Sequence, residues 1–197
     1  MYQKLALFLL LGFPVSLVAK GDCFPGEVLP DNPFPIVELT TSMGTIAVEL
    51  NRNRAPATSN NFLRYVLEGH YDNTIFHRVI PDFVVQGGGY TPEIEERDVH
   101  DPVLNESGNG LENNLGTIAM ARFNDPHSAT SQFYFNLKNN EALNPNSRNW
   151  GYTVFGDVIE GMEVLEAIGA VETGFSEALG APDVPVETVI LVTAKVR

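Results

Sequence analysis

Arg78, Phe83 and Gln86 stand close together in the run FHRVIPDFVVQGGG at positions 76–89, which ends on three consecutive glycines. Arginine offers planar, permanently charged donors, phenylalanine an aromatic floor, and glutamine both a donor and an acceptor. The run holds no serine or cysteine nucleophile, and the one acid in it, Asp82, falls in the turn between two apolar stretches. Residues of these types suit a reaction that needs aimed hydrogen bonds beside an apolar surface, without a covalent intermediate. The order of apolar and polar positions reads as strand, turn at Pro81-Asp82, and strand. The glycines permit backbone turning and close approach of another chain.

Rotation about an X–Pro peptide bond is a reaction of that kind. The run resembles the signature of the cyclophilin-type peptidyl-prolyl cis-trans isomerases. Two further blocks resemble the same family in the same order: Met120-Ala121-Arg122 followed by Ser131-Gln132-Phe133-Tyr134-Phe135, and Gly151-Tyr152-Thr153-Val154-Phe155-Gly156-Asp157-Val158. The likeness extends from about Ile36 to Lys195. It implies that Arg78 is the principal catalytic residue, donating toward the prolyl nitrogen, with Gln86 holding the substrate backbone. It further implies that Phe83, Val84, Phe133 and Leu143 line a proline pocket with Tyr152 at its edge. Ala121 and Arg122 would run beside the bound peptide, and Gln132 would support the Arg78 side.

Several positions depart from the family pattern. Val84 stands where methionine is common, Asp82 where glycine is, and Tyr134 where phenylalanine is usual. Tyr152 occupies a position that is often histidine, and Arg122 one that is asparagine in many eukaryotic members, Met-Ala-Arg resembling the bacterial branch. Ala142 falls where cyclosporin-sensitive members carry a tryptophan, which implies weak cyclosporin binding. Trp150 lies further along and is not an aligned substitute.

The elements that must hold these residues are legible as patterns. Ile36–Thr41 and Thr45–Leu50 alternate on either side of Ser42-Met43-Gly44, which predicts a β-hairpin. Pro56 opens a helix that Gly69 stops, with Phe62, Tyr65 and Val66 on one face. Leu115–Ala121, Phe133–Leu137, Thr153–Ile159 and Glu187–Lys195 are further strands, and Gly161–Ile168 is a second helix using Met162, Leu165 and Ile168. The expected fold is mainly β: a closed, eight-stranded, antiparallel cyclophilin-like barrel capped by two helices. The polar, acidic stretch Glu93–Asp101 reads as a solvated surface loop.

The 197 residues, 44% of them hydrophobic, suit one domain with small extras. Twelve basic against 25 acidic residues give a net charge of -13. Such a balance argues against nucleic acid and anionic membrane partners. Lys4 before an apolar run to Ala19 reads as a secretory signal peptide over 1–19, with cleavage after Ala19 or as late as Gly21. Gly12 and Pro14 interrupt the run, so stable membrane insertion is not expected. Residues 20–35, rich in proline, read as a linker, and 36–197 as the isomerase domain.

Cys23, the single cysteine, allows no intramolecular disulfide. Lys20-Gly21-Asp22 before it does not match a lipoprotein signal, so it reads as a free or intermolecularly paired thiol. His70, His77, His100 and His127 lack metal-ligand spacing, and the triple glycine lacks the Lys-Ser/Thr of a phosphate loop. Neither metal nor cofactor is expected.

The sequence therefore points to a secreted, periplasmic, monomeric isomerase and folding helper acting on proline-containing unfolded or extended polypeptides. Two alternatives remain: a cyclophilin fold that grips proline segments without turnover, and a chaperone module working through its acidic loop.

Overall fold

A computed structural model of the chain describes Val28, Leu29 and residues 31–197. The signal segment and Cys23 lie outside the described residues, as does most of the linker. The linker's described end is docked. The buried guanidinium of Arg52 donates to the carbonyls of Val28, Leu29 and Asn32, and Leu50 donates its amide to the Pro35 carbonyl at 2.9 Å.

Strands β1 (Ile36–Thr41) and β2 (Gly44–Leu50) form the expected hairpin, with Thr41 paired to Gly44 across Ser42-Met43. Thr41 clamps that turn, its hydroxyl donating to the Gly44 carbonyl at 2.7 Å and accepting from the Met43 amide at 3.0 Å. Helix α1 (Pro56–Leu67) starts on Pro56, as read. Ala55 at its N-cap has no side chain to satisfy the free amides. Glu106, distant in sequence, does so instead, accepting from the Ala57 and Thr58 amides at 3.1 and 2.8 Å. A carboxylate there also complements the positive end of the helix dipole. Phe62, Tyr65 and Val66 are buried, as their spacing predicts.

Strand β3 (Thr74–Ile75) precedes the signature run, which supplies β4 (Arg78–Ile80) and β5 (Val84–Gly87) with the turn at Pro81–Phe83. Then follow β6 (Thr117–Met120), β7 (Phe133–Asn136), β8 (Val154–Glu160) and α2 (Met162–Gly169). A short hairpin of β9 (Thr173–Ser176) and β10 (Ala181–Pro185) precedes β11 (Ile190–Val196).

Nine strands make one antiparallel sheet in the order β3-β11-β1-β2-β8-β6-β7-β5-β4, with β9 and β10 as a separate pair. The expectation of a closed eight-stranded barrel is therefore corrected: the sheet is a strongly curled, open half-barrel of nine strands. Its edge strands β3 and β4 do not pair. They are neighbours along the chain, separated only by Phe76-His77, so the peptide backbone spans the gap that a ladder of hydrogen bonds would otherwise close.

The concave side is filled by interlocking aromatics. Phe62 meets Tyr71, Phe155 and Phe133 at ring-centroid distances of 5.0, 5.2 and 5.5 Å, and Phe133 meets Phe135 at 5.7 Å, edge to face. Aromatic pairs at such separations add to the burial of their area. The signature glycines serve this core. A Cβ on Gly88, whose φ is +84°, would lie 2.9 Å from both Phe133 and Tyr71, and one on Gly87 would lie 2.8 Å from Phe76. Their small size makes room for core rings, where the sequence suggested close approach of a peptide.

Candidate active site

Successive side chains on a strand point to opposite faces, so cross-strand register decides which residues share a surface. Arg78 on β4 pairs with Gln86 on β5, Gln86 pairs with Tyr134 on β7, and Tyr134 with Ala119 on β6. These four form a row on the face turned away from the aromatic core. With the Pro81–Phe83 turn, the 3-10 turn Glu141–Leu143 and the segment before β8, Arg78, Gln86 and Tyr134 of this row line an open pocket of about 260 Å³.

The pocket has an apolar end made by Phe83, Val84, Tyr134, Leu143 and Tyr152, and a polar end made by Arg78 and Gln86. Val84, Tyr134, Ala119 and Val154 form a small buried cluster under it, separate from the main core. Arg78 is half-exposed, and its Nη1 lies 3.5 Å from Gln86 Oε1. Gln86 Nε2 donates to Gln132 Oε1 at 3.0 Å, so a chain of three polar side chains runs along the rim.

Most sequence-assigned residues meet here, each with a distinct placement. Arg78, Phe83, Val84, Gln86, Ala121, Arg122, Leu143 and Tyr152 all line the pocket. Gln132 stands behind Gln86 and lines an adjoining hollow of about 80 Å³ that also touches Ala121 and Arg122. Arg122 turns its head away from the pocket floor. Its Nε and Nη1 donate to the Gly151 and Phe123 carbonyls at 3.0 and 2.8 Å, and its guanidinium covers the Tyr152 ring at 4.5 Å. The cation thereby holds the ring that edges the pocket.

Phe133 is the exception. It is fully buried among Phe62, Tyr71, Phe76 and Phe135 and does not line the pocket; Tyr134 does. Phe133 pairs with Gly87 and Met120, one step out of register with the Arg78 row, so it faces the core. The Tyr134 hydroxyl donates to Asn113 Oδ1 at 2.7 Å, and burial raises its pKa well above the usual phenol range. Asn113 also accepts from Asn136 at 3.2 Å, and Asn140 donates to the Phe83 carbonyl at 2.9 Å. A buried amide network thus braces the pocket from below, and no local pattern in the chain marks it.

The comparisons with known proteins bear on this geometry. The sequence profile of the family described as cyclophilin type peptidyl-prolyl cis-trans isomerase/CLD matches residues 36–196. The chain belongs to this family. Peptidyl-prolyl cis-trans isomerase cyp18 of Streptomyces antibioticus is 54% identical over 163 residues, covering 81% of this chain and 97% of that protein. Peptidyl-prolyl cis-trans isomerase B of Escherichia coli is 45% identical over 159 residues, covering 79% of this chain and 96% of that one. Among solved structures, a cyclophilin-type isomerase of Cryptosporidium parvum matches with a TM-score of 0.65 at 24% identity, covering 83% of this chain and 98% of that chain. The likeness at that identity concerns the fold.

As a cyclophilin, the chain carries its variations at the pocket's edge. Ala142 is exposed on the 3-10 turn beside Leu143. Trp150 is not part of the pocket; it is 55% exposed and packs edge-on against His127 at 5.0 Å. His77 points to the face opposite Arg78 and lies 4.9 Å from the Tyr90 ring. Burial, reinforced by the neighbouring Arg78 charge, lowers its pKa to about 4, so it is neutral near pH 7.

Proposed function

We propose that this cyclophilin isomerises X–Pro bonds of exported polypeptides as they fold, with Arg78 as the catalytic residue. Conjugation of the amide gives a rotation barrier of ~18–20 kcal/mol, and uncatalysed prolyl isomerisation takes on the order of tens to hundreds of seconds. Reaching milliseconds requires roughly five decades, or about 7 kcal/mol of selective stabilisation of the twisted state. In that state the prolyl nitrogen loses conjugation, becomes pyramidal and accepts a hydrogen bond. A donor that engages it there, and only weakly in the planar ground state, lowers the barrier.

The carrying observation is the shared row: Arg78 and Gln86 stand at one end of a pocket whose other end is apolar. The proline ring would seat against Phe83, Val84, Tyr134, Leu143 and Tyr152. Arg78 would then reach the prolyl nitrogen, while Gln86, held by Gln132, restrains the guanidinium and meets the substrate backbone. No proton transfer or covalent bond is needed, so neither cofactor nor metal enters. Val84 in place of a longer side chain leaves the apolar end broader, and Ala142 removes an indole from the rim, consistent with weak cyclosporin binding.

Export rests on the apolar segment after Lys4, and the acidic surface suits a soluble monomer that meets extended clients in the periplasm. The test is to express the full chain in a bacterium, recover it from the periplasm and weigh it. The mature protein should begin after Ala19 or Gly21 and speed a proline-limited refolding phase of a secreted protein. Retention in the cytoplasm with the first 19 residues intact would refute export. Binding of proline peptides without acceleration would leave a recognition module instead.

A further inference from the structure

We propose that Asp183 is a positioning residue for Arg78, a role that rests on the catalytic reading of that arginine. Asp183 belongs to the β9–β10 hairpin, which lies beside β4 and outside the main sheet. Ala181 pairs with Ser176 and Val184 with Gly174, so β10 carries one residue more than β9 between these pairs. Extra residues of this kind re-aim side chains. Here the bulge holds Asp183 at φ +65°, in the left-handed region, and sets its Oδ2 4.0 Å from Arg78 Nε. That separation is an ion pair, too long for a direct hydrogen bond.

The geometry divides the guanidinium. The carboxylate lies on its Nε side and Gln86 accepts from Nη1 on the other, and the guanidinium makes no further hydrogen bond among the described residues. Two restraints on a long, otherwise mobile side chain leave the remaining Nη protons for the groove. Arginine has many rotamers, so fixing it before substrate arrives removes part of the cost of catalysis. Both partners are partly exposed, 40% and 38% for the side chains, so dissolved salt screens the pair.

Asparagine tolerates the left-handed conformation as readily as aspartate, and glycine more readily, so Asp183→Asn and Asp183→Gly remove the charge while keeping the bulge. Isomerisation of an Ala-Pro peptide should be followed in both variants at low and high ionic strength, beside wild type and Arg78→Ala. The expected result is a two- to fivefold loss of kcat/KM at low salt, the range of a half-exposed ion pair, with an unchanged unfolding midpoint. The gap to wild type should close as salt is raised, which a merely structural residue would not show. Full or increased activity in both variants at low salt, or a loss that salt does not alter, would overturn the proposal. If Arg78→Ala itself keeps wild-type activity, the catalytic reading fails and this inference fails with it; if only the Asp183 variants are unaffected, the inference alone falls.

Discussion

The two faces of strands β4 to β7 are built from alternate residues of the same short stretches, yet they differ in almost every physical respect. On the concave face, Val79, Val85, Ile118, Met120, Phe133 and Phe135 are buried in the main core, close-packed around Phe62. On the other face stand Arg78 and Gln86, half open to solvent, in one row with the buried Ala119 and Tyr134, and a pocket lies over that row. Groups on the first face are fixed by contact on every side. Arg78 and Gln86 on the second are held by a few hydrogen bonds and one ion pair, which leaves donor capacity for a ligand. Core and pocket are thus separated by a period of two along the strand, so neighbouring residues meet different surroundings.

Substitutions test that separation. The largest effect on stability is expected at Phe133→Ala, where loss of a core ring costs about 3–5 kcal/mol in urea unfolding. A stability near wild type with a damaged proline site would instead return Phe133 to the pocket. His77 should produce the next effect, visible only through pH. Its folded pKa is lowered to about 4 by burial and by the adjacent Arg78 charge. The unfolded chain therefore binds a proton below pH ~6.5 that the folded chain refuses until about 4, so stability is full above 6.5 and falls as pH drops through that window, by up to about 3 kcal/mol. His77→Gln should flatten unfolding free energy over that interval relative to wild type; an unchanged slope would mean that other groups carry it. Smallest is Tyr134→Phe, which keeps the pocket ring but removes the bond to Asn113, costing about 1 kcal/mol of stability. Its kcat/KM should stay within about twofold of wild type, since the hydroxyl points to the buried amides; a larger loss would place that hydroxyl in the chemistry.

Much of this arrangement is legible in the amino-acid sequence where local signals are strong. Alternation fixes the β1–β2 hairpin, Pro56 fixes the start of α1, and the strand-turn-strand around Pro81 places Arg78 opposite Gln86. The face of β7 is not legible in this way. Phe133, Tyr134 and Phe135 are all apolar and aromatic and all buried, so no polar alternation marks which ring faces the pocket. Only the register with β5 and β6 resolves it. Long-range partners are equally silent in sequence, as Glu106 capping α1 and Asn113 bracing Tyr134 show. The β9–β10 hairpin is short, half-exposed and interrupted by Gly174, Pro182 and Pro185, so it lacks a strand pattern and nothing local marks Asp183. That β3 and β4 end the sheet unpaired, which leaves it an open half-barrel, is likewise reported by no local pattern.

The role proposed for Arg78 is in catalysis and not in the fold. It is tested most directly by measuring isomerisation of an Ala-Pro peptide and urea unfolding on the same preparation of Arg78→Ala. A loss in kcat/KM of at least about 100-fold is expected, as for other groups aimed at a transition state, with stability within about 0.5 kcal/mol of wild type. Retained catalysis, or a loss of activity matched by unfolding, would contradict it.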